Sequence, residues 1–352
     1  MAPTRVVPSS VCGPPTTRTT YVRPKLPNLP GAQASASGNT LPSPLPSQCT
    51  VEEARANALG ENLRRWVEDR GGYIHPALQL SFRTPHGRGI VTADNISLQT
   101  AQQQPLIAVP ERLLMTCEVA ARQLGQVVQR ERPERRWWMP RKQQQQQLPD
   151  STLLLALLVA SERAKGKSSA WAPYIASLPD DAPCVWALDQ QQLNAELAQL
   201  GSMANGWAPK VQAAAAGVQR TAEAAAAAWG AELGLTAADV RWGLGQVMSR
   251  SYGSGLDLAM LPFLDCCNHR QHAGRPTGYT SRSGEPCTAV YSQHRGAAQA
   301  LTAGSEVCVS YVVGASPLNM LLNFGFVPSE VLRAGCDDAA RLSRPPLVKH
   351  AD

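Results

Sequence analysis

The sequence predicts an α+β fold in which small β-sheets are split by one long, mostly helical insertion. Three observations point there. Strand-like pieces lie near Leu78–Thr92 and again after Leu261, while Glu118–Arg250 between them carries helical periodicity. A period-two shell interrupted by a single helical block suits an α+β domain. No internal repeat of roughly 20–50 residues suggests a solenoid.

Order is expected to begin near Glu52. Glu53–Arg70 places Ala56, Leu59, Leu63, Trp66 and Val67 at helical spacing and stops at Gly71–Gly72. Leu78–Phe82, Gly89–Thr92 and Leu106–Val109 read as short strands, the third closed by Pro110. Leu153–Lys165 is a strongly apolar helix, Val211–Leu233 an Ala-rich one, and Ala238–Arg250 a third with Val240, Leu244, Val247 and Met248 on one face. Cys287–Tyr291 and Val307–Tyr311 return to strand, with Thr302–Glu306 as a turn, and Pro317–Asn323 is a last short helix. The organisation expected is a leader (1–50), two shell portions (51–110 and 251–328), a helical insertion (111–250) with a low-complexity loop at 130–150, and a tail (329–352).

Charge narrows the partners. The chain of 352 residues has a formal charge of +6, but Arg5, Arg18, Arg23 and Lys25 supply four of those charges and no acid lies in the first fifty residues. The body is nearly neutral, so the basic balance does not imply a nucleic-acid partner. Arg130–Lys142, with Trp137–Trp138, is interleaved with Glu131, Glu134 and two prolines and reads as a solvated loop. The densest apolar run, Leu153–Ala160, is too short to span a bilayer. The expected partner is a protein substrate, with no nucleic acid and no membrane, and the expected state is a monomer. Nine cysteines without Cys-x-x-Cys spacing argue against a disulfide framework or a zinc site and for a reducing compartment.

Residues 1–50 hold ten prolines and thirteen serines or threonines and no acid. Such a leader is expected to be disordered and fits a transit peptide for a plastid or mitochondrion, the plastid being the expected destination; an ordinary disordered tail, with the cytoplasm as location, is the alternative.

Four short signatures occur in order: Gly87-Arg88-Gly89, Ser249-Arg250, Asp265-Cys266-Cys267-Asn268-His269, and Ser310-Tyr311 followed by Asn319 to Val327. Taken singly, each is weak. Two glycines around one residue permit a sharp turn and close approach to a ligand, and an Asn–His pair offers amide and imidazole groups. Together, with Pro105–Pro110 and Trp171-Ala172-Pro173-Tyr174-Ile175-Ala176-Ser177-Leu178-Pro179, they resemble the SET-domain protein methyltransferases. The branch most resembled contains Rubisco large-subunit lysine methyltransferase. The resemblance covers roughly residues 53–328.

It implies a SET fold closed by a pseudoknot, S-adenosylmethionine as cofactor, and transfer of its methyl group to a lysine of a non-histone, plastid protein. His86, Gly87 and Arg88 would cradle the methionine part of the cofactor. Asn268 would lie near its ammonium and His269 by its adenine. Arg250 and Asp265 would line the cofactor and substrate end of the cleft, and Tyr311 would be the catalytic tyrosine. Phe324 stands where close relatives carry a second tyrosine, so the substrate channel would lose one hydroxyl. Arg270 stands where a serine is usual, and Val312-Val313 precede the glycine that usually follows the tyrosine directly. The branch continues into a helical substrate-binding domain, whereas 25 residues follow Val327 here. Two alternatives keep the same fold: a protein-histidine methyltransferase, and a SET-like binding or scaffold module with little or no activity.

Overall fold

The computed structural model describes residues 51–84, 87–130, 150–181, 184–311 and 316–328. The leader, His86, the stretch 131–149 that holds most of the expected low-complexity loop, residues 312–315 and the tail from 329 lie outside the described residues.

Helix α1 (Val51–Glu68) buries Leu63, Trp66 and Val67, the face its spacing predicts. Its Arg64 donates to the carbonyl oxygens of Ile74, His75 and Leu78, tying the helix to the strands that follow. Those are β1 (Tyr73–Ile74), β2 (Leu78–Thr84) and β3 (Gly87–Thr92); α2 (Leu98–Gln103), β4 (Ile107–Pro110) and β5 (Met115–Thr116) come next. The helical block comprises α3 (Cys117–Arg130), α4 (Ser151–Lys165), α5 (Ala172–Ser177), α6 (Gln190–Gln199), α7 (Trp207–Leu233) and α8 (Ala237–Arg250). Short strands then return: β6 (Ala259–Met260), β7 (Asn268–His269), β8 (Thr277–Thr280), β9 (Pro286–Val290), β10 (Gln293–His294), β11 (Ala297–Ala298) and β12 (Glu306–Val309), before α9 (Pro317–Phe324).

Two four-stranded sheets carry the shell, in the orders β2-β3-β12-β7 and β1-β4-β9-β8. In each, a strand from before the helical block pairs with one from after it. β12 runs antiparallel to β3 and parallel to β7, whereas β4 pairs antiparallel with β9.

Helix α4 is the centre of the helical block. Leu154–Ala160 are all buried, as expected of a helix apolar on every side, and it packs against α3, α5 and α8. Each such leucine contributes about 1.5–3 kcal/mol relative to an exposed one. The buried carboxylate of Glu162 on this helix is paired: Lys165 Nζ lies 2.5 Å from Oε1 and Ser169 Oγ donates to Oε2 at 2.6 Å. That pairing offsets the cost of burying a charge.

The sequence reading passes over α2, α6, the small strands β5 to β8 and the β10–β11 hairpin. Most of these strands have two residues, too few to show alternation. Helix α6 has only Leu193 and Leu197 as buried anchors, although its capping box, Asp189 with Gln192, is a readable start signal. The six cysteines among the described residues are free and buried.

Candidate active site

Strand β12 is the axis of the site. Its register sets Val307 against Ile90 of β3, and Cys308 and Val309 against Asn268 and His269 of β7. One strand thus brings three of the sequence signatures side by side, from positions about 180 and 40 residues apart.

One end of this arrangement is polar. Asn268 Nδ2 donates to Arg88 O at 2.9 Å and to Glu306 Oε1 at 2.7 Å. Asn268 Oδ1 keeps its acceptor capacity, with no donor to it among the described residues. Gly87 has φ 85°, a region that favours glycine. At Gly89 a Cβ would sit 2.5 Å from Glu306 Oε1 and 2.6 Å from Asn268 Nδ2, so no side chain fits without displacing both. Arg88 turns away from the cradle: its guanidinium donates to Ser177 O and, at 3.1 Å, to Cys266 Sγ.

The other end is aromatic. Tyr311 N donates to His269 Nδ1 at 3.0 Å, and the two rings lie 5.3 Å apart. The Tyr311 hydroxyl donates to Cys267 O at 2.7 Å. Around the ring stand Phe324 at 5.0 Å, Tyr252 at 6.3 Å and Phe326 at 6.4 Å between centroids. Burial pushes the Tyr311 phenol far up, with Arg250 pulling the other way. The group therefore stays protonated at physiological pH. Burial, and then the neighbouring Tyr311, also raises Tyr252 well above its ordinary value.

Two helix ends deliver these residues. Thr236 and Asp239 form a capping box that starts α8, and its last residue is Arg250. Ser316 caps α9 by accepting from Asn319 N, and Gly325 at φ 75° ends it, placing Phe324 on the last turn and Phe326 just beyond.

Beneath the aromatic end lies a buried polar network. Arg250 Nη1 is 3.5 Å from Asp265 Oδ2, whose side chain is 0% exposed. Tyr174 donates to the same oxygen at 2.9 Å. Burial opposes the charge of Arg250, but Asp265 and its neighbours outweigh it and hold the guanidinium ionised. Tyr174 belongs to Trp171–Pro179, the segment that also accepts from Arg88 at Ser177 and from Trp242 and Gln246 at Pro179 O. This segment locks the helical block to the site.

The structure thus brings together Gly87, Arg88, Asn268, His269, Tyr311 and Phe324. Arg250 and Asp265 lie in the supporting network, and His86 is outside the described residues. Sequence reasoning missed Glu306, Tyr252 and Phe326 as site residues. The only available signals were proximity in sequence to Arg250, Tyr311 and Phe324, and none of them fixes a side chain's direction.

No protein-family model matches the chain, and no curated protein does. Solved structures do. The SET domain of LSMT bound to lysine and AdoHcy superposes with a TM-score of 0.57 at 19% identity, covering 77% of this chain and 57% of that one. The same domain bound to methyllysine and AdoHcy gives 0.56 at 18% identity, over 76% and 56% of the two chains. Rubisco LSMT bound to AdoMet gives 0.53 at 19%, with the same coverage. The chain therefore spans little more than half the length of these structures. The strands meeting at β12, with the helical block set between them, are the SET-domain fold of the Rubisco LSMT type.

Proposed function

We propose that this chain is an S-adenosylmethionine-dependent protein-lysine N-methyltransferase acting on a non-histone, plastid protein. The observation that carries the reading is the division along β12 into a polar cradle and an aromatic box. The structural neighbours bound to AdoMet, AdoHcy and lysine support the same assignment.

The cradle suits the cofactor. An α-ammonium needs acceptors, and Asn268 Oδ1 and the Glu306 carboxylate supply them, while Gly87 and Gly89 let the backbone approach closely. When bound, S-adenosylmethionine supplies an already activated methyl group, so the protein's task is to position and desolvate.

The box suits the acceptor amine. A free lysine, pKa about 10.4, is mostly charged at pH 8; deprotonating it costs about 3.3 kcal/mol. Apolar walls from Tyr252, Phe324 and Phe326 lower that cost by disfavouring the ammonium. Tyr311 spends its proton on Cys267 O, which leaves the phenolic oxygen as an acceptor to orient an amine N–H. Being neutral, Tyr311 acts by orientation rather than as a base. Arg250, Asp265 and Tyr174 keep the floor of the box rigid.

Incubating the full chain with methyl-labelled cofactor and a plastid extract tests the reading. Label in one protein band, at a lysine by mass spectrometry, is expected. Label at a histidine, or none despite cofactor binding, would contradict it. The plastid destination rests on the leader alone, and a reporter carrying residues 1–50 that stays cytosolic and uncut would remove it.

A further inference from the structure

Beside the site lie two arginines and two histidines that neither cofactor nor lysine explains. Arg270 directly follows His269, and its N–H donates to Val309 O at 3.1 Å. From there the chain turns through His272, and Gly274 O accepts from Ser310 N, next to Tyr311. Arg295 N donates to His272 O at 2.7 Å, Ala273 bridges His294, and the His272 and His294 rings meet edge-on at 6.2 Å. Arg270, His272, His294 and Arg295 are thus fastened to the segment that leads from β12 into Tyr311.

Among the described residues no carboxylate forms an ion pair with any of the four. Glu285 is the only acid between Asn268 and Ser305, and it pairs with Arg112. Glu306 bonds Asn268. Arg270 Nε is buried without a hydrogen-bond partner. Burial lowers His294, and Arg270, Arg295 and His272 lower it further.

The backbone is also set against its residues. His272 and Arg295 have φ 64° and 51°, two of the three non-glycine residues with positive φ among the described residues. Arg295 and Gly296 (φ 79°) form the two-residue loop of the β10–β11 hairpin. Asn or Asp is preferred before glycine in such a turn. An arginine there strains the turn and places a cation at an exposed tip.

We propose that Arg270, His272, His294 and Arg295 form a shelf that binds an acidic stretch of the protein substrate flanking the acceptor lysine. The inference rests on the lysine-methyltransferase reading and specifies its substrate class. The cofactor's one carboxylate gives a reason for at most one of these side chains, and its sulfonium and ammonium for none. A substrate whose lysine sits among acids is attracted, and one whose lysine sits among other bases is repelled, so the shelf selects by both attraction and repulsion.

Three fluorescent peptides test it, each centred on one lysine: one with Asp/Glu flanks, one with Asn/Gln flanks and one with Lys/Arg flanks. Anisotropy with the full chain, with and without AdoHcy, should show the acidic peptide binding tightest and weakening as salt rises. Arg295→Asn should weaken it about three- to fivefold, the scale of an exposed ion pair, while the melting temperature holds or rises because asparagine suits the turn. Arg270→Gln should weaken it in the same way. Equal binding of the acidic and neutral peptides, or full acidic affinity in Arg295→Asn, would overturn the shelf. Because binding is read without turnover, the two ideas separate. Acid-selective binding without methyl incorporation upholds the shelf and sinks the enzyme reading; methyl incorporation without acid preference sinks the shelf alone.

Discussion

The cradle and the aromatic box meet at β7, which gives Asn268 to one and His269 to the other, yet are built on opposite principles. At the cradle, Asn268, Glu306 and Arg88 O are joined by hydrogen bonds of 2.7 and 2.9 Å, and Gly89 leaves no room for a Cβ. At the box, rings from Tyr252, His269, Phe324 and Phe326 stand around the ring of Tyr311, whose hydroxyl is neutral. The first offers directional bonds and the second apolar walls. Damage to the cradle should therefore appear in cofactor affinity, and damage to the box in turnover.

The largest expected effect touches the floor beneath the box. Asp265→Ala would strand Arg250 and remove the acceptor of Tyr174. Breaking a buried pair in this way costs about 3–5 kcal/mol of stability. Denaturant unfolding measures it, and a loss below about 1 kcal/mol would show that the network does not hold the site together.

Tyr311→Phe comes next. It removes the hydroxyl that bonds Cys267 O while keeping the ring among its neighbours. Turnover should fall about 10²–10³-fold, by analogy with the loss of one positioned polar group in a dry site, with the fold retained. Single-turnover kinetics at saturating cofactor would read it. Undiminished turnover would mean the catalytic assignment is wrong.

Phe324→Tyr should have the smallest effect on energy and a distinct effect on products. The ring lies 5.0 Å from Tyr311. A hydroxyl there adds a hydrogen bond to the amine and hinders its rotation after a first transfer. Intact-mass analysis of the substrate should shift toward fewer methyls per residue; an unchanged distribution would show that Phe324 does not face the acceptor.

The contrast between the regions also explains what the sequence revealed. Helices α4, α7 and α8 were legible because their periodicity is local and long, and their bounds agree with the sequence expectation to within a few residues. The motif residues of the site were legible as short strings: Asn268–His269, Tyr311, Gly87–Gly89. Their convergence was not, because it depends on the pairing of Cys308 with Asn268 across forty residues, between strands too short to carry a pattern. Glu306 read as the end of a turn, and only the approach of β3 to β12 reveals it as part of the cradle. Tyr252 and Phe326 drew no separate reading from the sequence; it is past the ends of α8 and α9 that their rings come within 6.3 and 6.4 Å of the Tyr311 ring. Arg250 and Asp265 were expected along the cleft, and the bond from Tyr174, a residue of the helical block, was not foreseeable from spacing.

Calorimetric titration of the full chain with AdoHcy tests the division of labour most directly, run in parallel on the wild type, Asn268→Ala and Tyr311→Phe. The wild type should bind. Asn268→Ala should weaken binding about five- to 150-fold, the equivalent of losing roughly 1–3 kcal/mol of buried hydrogen bonding. Tyr311→Phe should bind as the wild type does. No heat with the wild type, or full affinity in Asn268→Ala, would contradict the assignment of the cradle to the cofactor.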